Sequence, residues 1–395
     1  MSRLIAGAST QSRARRPLPE GWHAEVVKRG GVSEIWMVEV GGKRFEHGIE
    51  CTWVFGQDGP ILGYTTPLNI KTRHILRTVE RLAGERGVYG PGSVVSELEV
   101  KAADLLCDIV SPFLTDGKGD LKMRWFANGN DACDAAVRVA RAATGRNKFI
   151  SVGYHGASVV FAHAPQRAGV PVEVTQDRID VEFGGTQAIL KNIADAACVI
   201  VEVPSTDEDA KSFLRAVRKA CDKADVIMIL DEVVTGFRLA IGGAADYYGV
   251  RPDIACYGKA MSNGRGISAL VGWPKVVGEL EDRAFSSATY NGDPWNCAHV
   301  IATLSYISRN ANDVYGHIWG IGEALVAGLR GVGVPIVGHA PRSALSFNLE
   351  DERREFCSAM ILEHICMDRP NYATLAHTSR HVQRTVEAAG RILGR

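Results

Sequence analysis

One stretch constrains this chain more than any other: residues 226–263, VIMILDEVVTGFRLAIGGAADYYGVRPDIACYGKAMSN. It opens on the continuous apolar run 226–230, the pattern of a strand buried on both faces. Asp231 and Glu232 follow where that strand should emerge. A second short run, 254–257, then delivers Gly258 and Lys259 to the same end of a sheet. An acid and a lysine just past buried strands form an ordinary ion pair in many α/β proteins, because ionisable residues collect at strand ends.

The same pair also answers a chemical need. A pyridoxal phosphate enzyme uses one lysine to hold the cofactor aldehyde as a Schiff base, and one acid to keep the pyridine nitrogen protonated. The lysine must lose its proton to add to the aldehyde, so it is expected in a partly desolvated pocket. DEVVTGFR followed by GVRPDIACYGKAMSNG resembles the class III aminotransferases, and most of all their glutamate-1-semialdehyde aminomutase branch. That resemblance implies that Asp231 holds the pyridine nitrogen, that Lys259 is the Schiff-base lysine, and that Val233 covers one face of the ring.

Other motifs are read beside it. Residues 123–127 predict a strand, and Asn128-Gly129-Asn130-Asp131 turns it into a helix that stops before Gly145. A polar, Gly-containing turn at a helix start presents free N–H groups and a positive dipole end, a ready phosphate site. Asn and Asp are also common N-caps. The family uses this place for the cofactor phosphate, which implicates Asn128, Gly129 and Asn130. The strand 149–152 ends in Gly153-Tyr154-His155-Gly156, where glycine permits close backbone approach and Tyr154 offers a flat face. YHG is a family marker that implies stacking of Tyr154 on the cofactor; His155 is a proton carrier or a structural hydrogen-bonder. Glu202 ends a further apolar run, and the resemblance places it near the ring hydroxyl.

Thr289, in TYNGDP, matches the family threonine that reaches the phosphate of a neighbouring subunit, which implies a homodimer with shared active sites. Trp53, in a Gly-rich loop, either borders the substrate, as in the family, or packs in the core. Residues 157–174 lack the Gly/Ser-rich gate of the aminomutases, which points to a non-standard substrate. Arg238 and Arg265 are the candidates for a substrate carboxylate by proximity in the chain.

With 395 residues, the chain is long enough for one large and one smaller domain. The expected fold is α/β, a pyridoxal phosphate-dependent transferase of fold type I. A three-layer domain with a mostly parallel, seven-stranded sheet spans 69–294. A small α+β domain combines 21–68 with 295–395, and 1–20 forms an arm. Lys plus Arg and Asp plus Glu number 45 each, so no global field draws the chain to nucleic acid or membrane. The nine cysteines show no CxxC pair or metal-ligand spacing, which argues for a reducing, cytoplasmic setting without a metal.

The expected function is therefore a pyridoxal 5'-phosphate-dependent aminotransferase or aminomutase acting on a small amine or amino-acid-type substrate, with a larger carrier as one variant. The alternatives are an isomerase or decarboxylase of an amino-acid conjugate, such as an amino sugar or a modified nucleobase, and a copy of the fold that has lost its chemistry.

Overall fold

A computed structural model describes residues 94–115, 119–162, 167–204, 210–367 and 370–394. It also describes 68, 70, 72–84 and the backbone of the N-terminal strands Ile35–Val40 (β1), Lys43–Gly48 (β2), Trp53–Gly56 (β3) and Gly59–Gly63 (β4). The arm expected at 1–20 and the side chain of Trp53 lie outside the described residues. Contacts divide the chain into two compact units: 73–315, and 316–395 with 1–72.

The 73–315 unit is built on seven strands: Lys122–Phe126 (β5), Lys148–Val152 (β6), Arg178–Asp180 (β7), Ala196–Glu202 (β8), Ile227–Glu232 (β9), Ile254–Tyr257 (β10) and Ser268–Gly272 (β11). Their order is β5-β11-β10-β9-β8-β6-β7. From β10 to β7 every neighbour is parallel, and β11 alone runs antiparallel, to β10 on one side and β5 on the other. The apolar runs of β8, β9 and β10 have the reason the sequence suggests. Cys198, Ile200, Ile229 and Cys256 share a core with the helix Gly129–Thr144 on one face. The alternate residues Val199, Val201, Met228 and Leu230 are fully buried as well. The helix Ala210–Ala224 also packs against β8 and β9.

Local signals set the helix ends. Ser96 caps Glu97–Leu114, accepting the Glu99 N–H at 3.0 Å. Asn128 caps Gly129–Thr144, and Gly145 closes that helix in the left-handed region at φ 66°. The helix Pro294–Arg309, placed by the sequence reading in the smaller domain, belongs to the sheet unit. It packs against Glu97–Leu114 and the turn Lys259–Ser262.

The other unit is α+β. Strands β1 and β2 pair antiparallel, with Val40 opposite Lys43. Strands Ile336–His339 (β12), Arg342–Leu345 (β13) and Asn371–Tyr372 (β15) form one sheet, and Ile365–Cys366 (β14) extends the β3-β4 pair. Leu325, Leu329, Phe356 and Met360 centre its core. No described helix is long and apolar enough to cross a membrane.

Candidate active site

The sheet register brings the singled-out residues to one edge. Across β8 and β9, Glu202 lies opposite Asp231; across β9 and β10, Cys256 lies opposite Asp231. The carboxylates and the chain approaching Lys259 therefore leave three adjacent parallel strands at their carboxyl ends. Val152 pairs with Val201, so the 153–156 turn leaves the sheet next to Glu202. Because β5 is antiparallel to β11, it runs parallel to β10 and opens the helix Gly129–Thr144 on the same edge. This is the crevice where open α/β sheets hold ligands.

Asp231 is buried and well held. His155 Nδ1 stands 2.8 Å from Asp231 Oδ2, and the Val233 N–H donates to Oδ1 at 3.1 Å. His155 is buried too, and its Nε2 has no partner among the described residues. The Cys133 thiol, against Asp231, is held protonated by its contact with Cys256, by burial and by the carboxylate charge, which push its pKa up. Buried polar groups require such partners, because desolvation is otherwise uncompensated.

Val233 is wedged over the helix start. A Cβ at Gly129 would come within 2.8 Å of a Val233 methyl, so only glycine fits there. Asn128 spends both ends of its amide on Asp131, accepting its N–H at 3.0 Å and donating to Oδ2 at 2.8 Å. Asn128 thus caps the helix, and the first-turn N–H groups of Gly129 and Asn130 keep their orientation. Asn130 Oδ1 accepts the Ser158 N–H at 2.8 Å, and Ser158 Oγ donates to Asp134 at 2.7 Å. These two bonds tie the segment after Tyr154 to the helix. The ring of Tyr154 is 61% exposed and free to receive a flat ligand, and its N–H approaches Glu202 Oε2 at 3.5 Å.

Lys259 departs from one expectation. It is exposed rather than desolvated, since it lies beyond the strand end at the mouth of the crevice. Its φ of 44° is in the left-handed region, uncommon for a side chain of this size. Gly258 before it packs on Ser268, whose Oγ would lie 2.7 Å from an added Cβ. Thr289 is exposed in the turn before Pro294–Arg309, and no hydrogen bond ties it to the strand-end cluster among the described residues. Asp293 in the same turn caps that helix, accepting the Asn296 N–H at 3.0 Å. Arg238 is 1% exposed, too buried to meet a substrate, whereas Arg265 is exposed in the loop following Lys259.

Several known proteins are similar to this chain. The family model described as aminotransferase class-III matches residues 187–334. Glutamate-1-semialdehyde 2,1-aminomutase 1 of Lachnoclostridium phytofermentans is 29% identical over 384 residues, covering 88% of this chain and 84% of the relative. The glutamate-1-semialdehyde 2,1-aminomutase of Fusobacterium nucleatum is 31% identical over 308 residues, or 72% of this chain, and the match spans 65% of the relative's length. Over most of its length the chain is similar to class-III aminotransferases. It is a pyridoxal phosphate-dependent enzyme of the aminotransferase or aminomutase type. Among solved structures, FumI of Sphingopyxis sp. MTA144 in its PLP internal aldimine form superposes with a TM-score of 0.81. It is 23% identical, and the match covers 99% of this chain and 93% of that one. Class-III enzymes act on amine or amino-acid substrates and are typically dimeric.

The residues at the strand ends fit the cofactor of this family. A buried carboxylate with spare lone pairs suits a protonated ring nitrogen, an exposed tyrosine face suits the ring, and first-turn N–H groups suit a phosphate. Sequence reading passed over Cys133, Ser158 and Ser268. None stands in a recognisable motif, and each reaches the site through packing between elements distant in sequence.

Glu232, adjoining Asp231 in sequence, is fully buried and serves a different purpose. It accepts the N–H groups of Ala244 and Ala245 at 2.9 and 2.8 Å and the Thr235 hydroxyl. Burial pushes its pKa up to about 7, against the lowering effect of those bonds. A carboxyl whose folded pKa is raised stabilises the fold fully below its unfolded value and loses that contribution as pH climbs through the folded one. Relative to Glu232→Gln, the enzyme should therefore lose stability, on the order of 3 kcal/mol, between pH 4.5 and about 7. Urea unfolding of both proteins across that window measures the difference, and parallel pH curves would remove Glu232 as its source.

Proposed function

We propose that this enzyme transfers or migrates an amino group on a small amino-acid-type substrate, with Lys259 and Asp231 as its catalytic residues. The observation that carries the proposal is the delivery of Asp231 and Lys259 from adjacent parallel strands to one crevice. When bound, pyridoxal phosphate supplies an electron-withdrawing ring conjugated to the substrate's α-carbon. Lys259 would hold the cofactor through Nζ, and its amine, when uncombined, would take the substrate's α-proton and return it, to the same carbon or to its neighbour. Asp231 would keep the ring nitrogen protonated, with His155 orienting its carboxylate. Tyr154 and Val233 would hold the ring, Glu202 would meet its hydroxyl, and Gly129 and Asn130 would offer N–H groups to the phosphate. Arg265 is the better placed of the two arginines for a substrate carboxylate. No disulfide joins the described cysteines, which supports a cytoplasmic enzyme.

Screening amine donors with products identified by mass spectrometry tests the reaction type. An aminotransferase yields a new amine from an added keto acid, whereas an aminomutase yields an isomer without one. Asp231→Asn should retain the cofactor and slow turnover by orders of magnitude, because the amide brings no negative charge to the ring nitrogen. Turnover near that of the unmodified enzyme would remove Asp231 from this role.

The second part of the proposal is a homodimer in which each site borrows Thr289 from the partner. Phe285 and Tyr290, on the same segment as Thr289, are 79% and 72% exposed, an apolar surface that a second copy would cover. Mixing a Lys259→Ala chain with a Thr289→Ala chain should restore part of the activity that each lacks, since one site of the heterodimer is then intact. No recovery in a verified heterodimer would contradict the shared site.

A further inference from the structure

A second cleft lies at the opposite edge of the sheet. It is lined where β10 begins and β11 ends, a strand's length from Lys259, roughly 15 Å. Its volume is about 690 Å³, of the size that holds a small molecule. Arg215, Arg218, Lys219, Arg251 and Lys275 line it, against only Asp222 and Asp253. On a chain whose charges balance overall, five cations facing two acids make a local excess.

Most of that excess is uncompensated. Arg218 is fixed between Asp253 at 2.7 Å and Asp222 at 2.8 Å, and its buried Nε has no hydrogen-bond partner. Arg215, Lys219 and Lys275 form no ion pair or hydrogen bond among the described residues. Arg215 and Lys219 stand four residues apart on the helix Ala210–Ala224, hence on one face. Lys275 reaches the cleft from a separate element, Pro274–Val277. The remaining lining is apolar: Leu114, Val250, Pro252 and the half-buried indole of Trp273.

We propose that this cleft binds a nucleotide, with its base against Trp273 and the apolar floor and its phosphates among the cations. A bare inorganic anion would leave the apolar floor unused, and a neutral aromatic molecule would leave the cations without a counter-charge. Arginine suits both parts, since its guanidinium pairs with phosphate and stacks on flat rings. The inference does not rest on the roles assigned to Lys259 and Asp231.

The test is calorimetric titration of ADP into the pyridoxal phosphate-loaded enzyme, with adenosine and pyrophosphate titrated separately. One saturable ADP site is expected, tighter than either fragment and weakened by added salt. Charge reversal in R215E/K219E, and independently in Lys275→Glu, should weaken ADP at least tenfold. These side chains are exposed, so folding is undisturbed. Trp273→Leu should weaken ADP while leaving pyrophosphate unchanged. The absence of a saturable site, ADP binding indifferent to charge reversal, or either fragment binding as tightly as ADP would overturn the proposal.

Discussion

A carboxylate removed from water must be given partners, and the architecture of this site follows from how Asp231 receives them. Its oxygens are met by His155 Nδ1 at 2.8 Å and the Val233 N–H at 3.1 Å, one partner from the end of β6 and one from its own chain. Losing one partner of a buried hydrogen-bonded charge costs several kcal/mol, roughly 3–5. The glycines of the 153–156 turn, the parallel pairing of β8 with β9, and the packing of Val233 on Gly129 are therefore linked. Moving any one of these elements disturbs the carboxylate.

The same arrangement explains why the reactive groups stand at strand ends instead of inside the sheet. A strand buried on both faces has no room for a ligand, whereas its carboxyl end opens among loops and helix starts. Asp231 belongs to the rigid side of that boundary and Lys259 to the open side. One is fixed by neighbours on all sides. The other emerges from a short turn in the left-handed region, held by the close fit of Gly258 to Ser268. A rigid acid and an accessible amine match the two tasks of holding a cofactor and moving a proton.

Much of this was legible in the sequence, for definite reasons. The runs 226–230 and 254–257 are apolar throughout, and a strand covered by helices on both faces requires that. Asn128 and Gly145 mark a helix because capping is a local event within one turn. What the sequence withholds is set by contacts between distant elements. No local signal shows that β11 enters the sheet antiparallel between β5 and β10. The exposure of Lys259 and the burial of Arg238 depend on the path of the chain after each strand. The bond from the Asn296 N–H to Asp293, and the second bond by which the Asn128 amide donates to Asp131, likewise appear only once the turns are folded.

The central claim is that Lys259, the amine emerging beside Asp231, carries the cofactor. Borohydride reduction of the loaded enzyme, followed by peptide mapping, tests it most directly. The account predicts a single pyridoxyl adduct, on Lys259. An adduct on any other lysine, with Lys259 recovered unmodified, would contradict it.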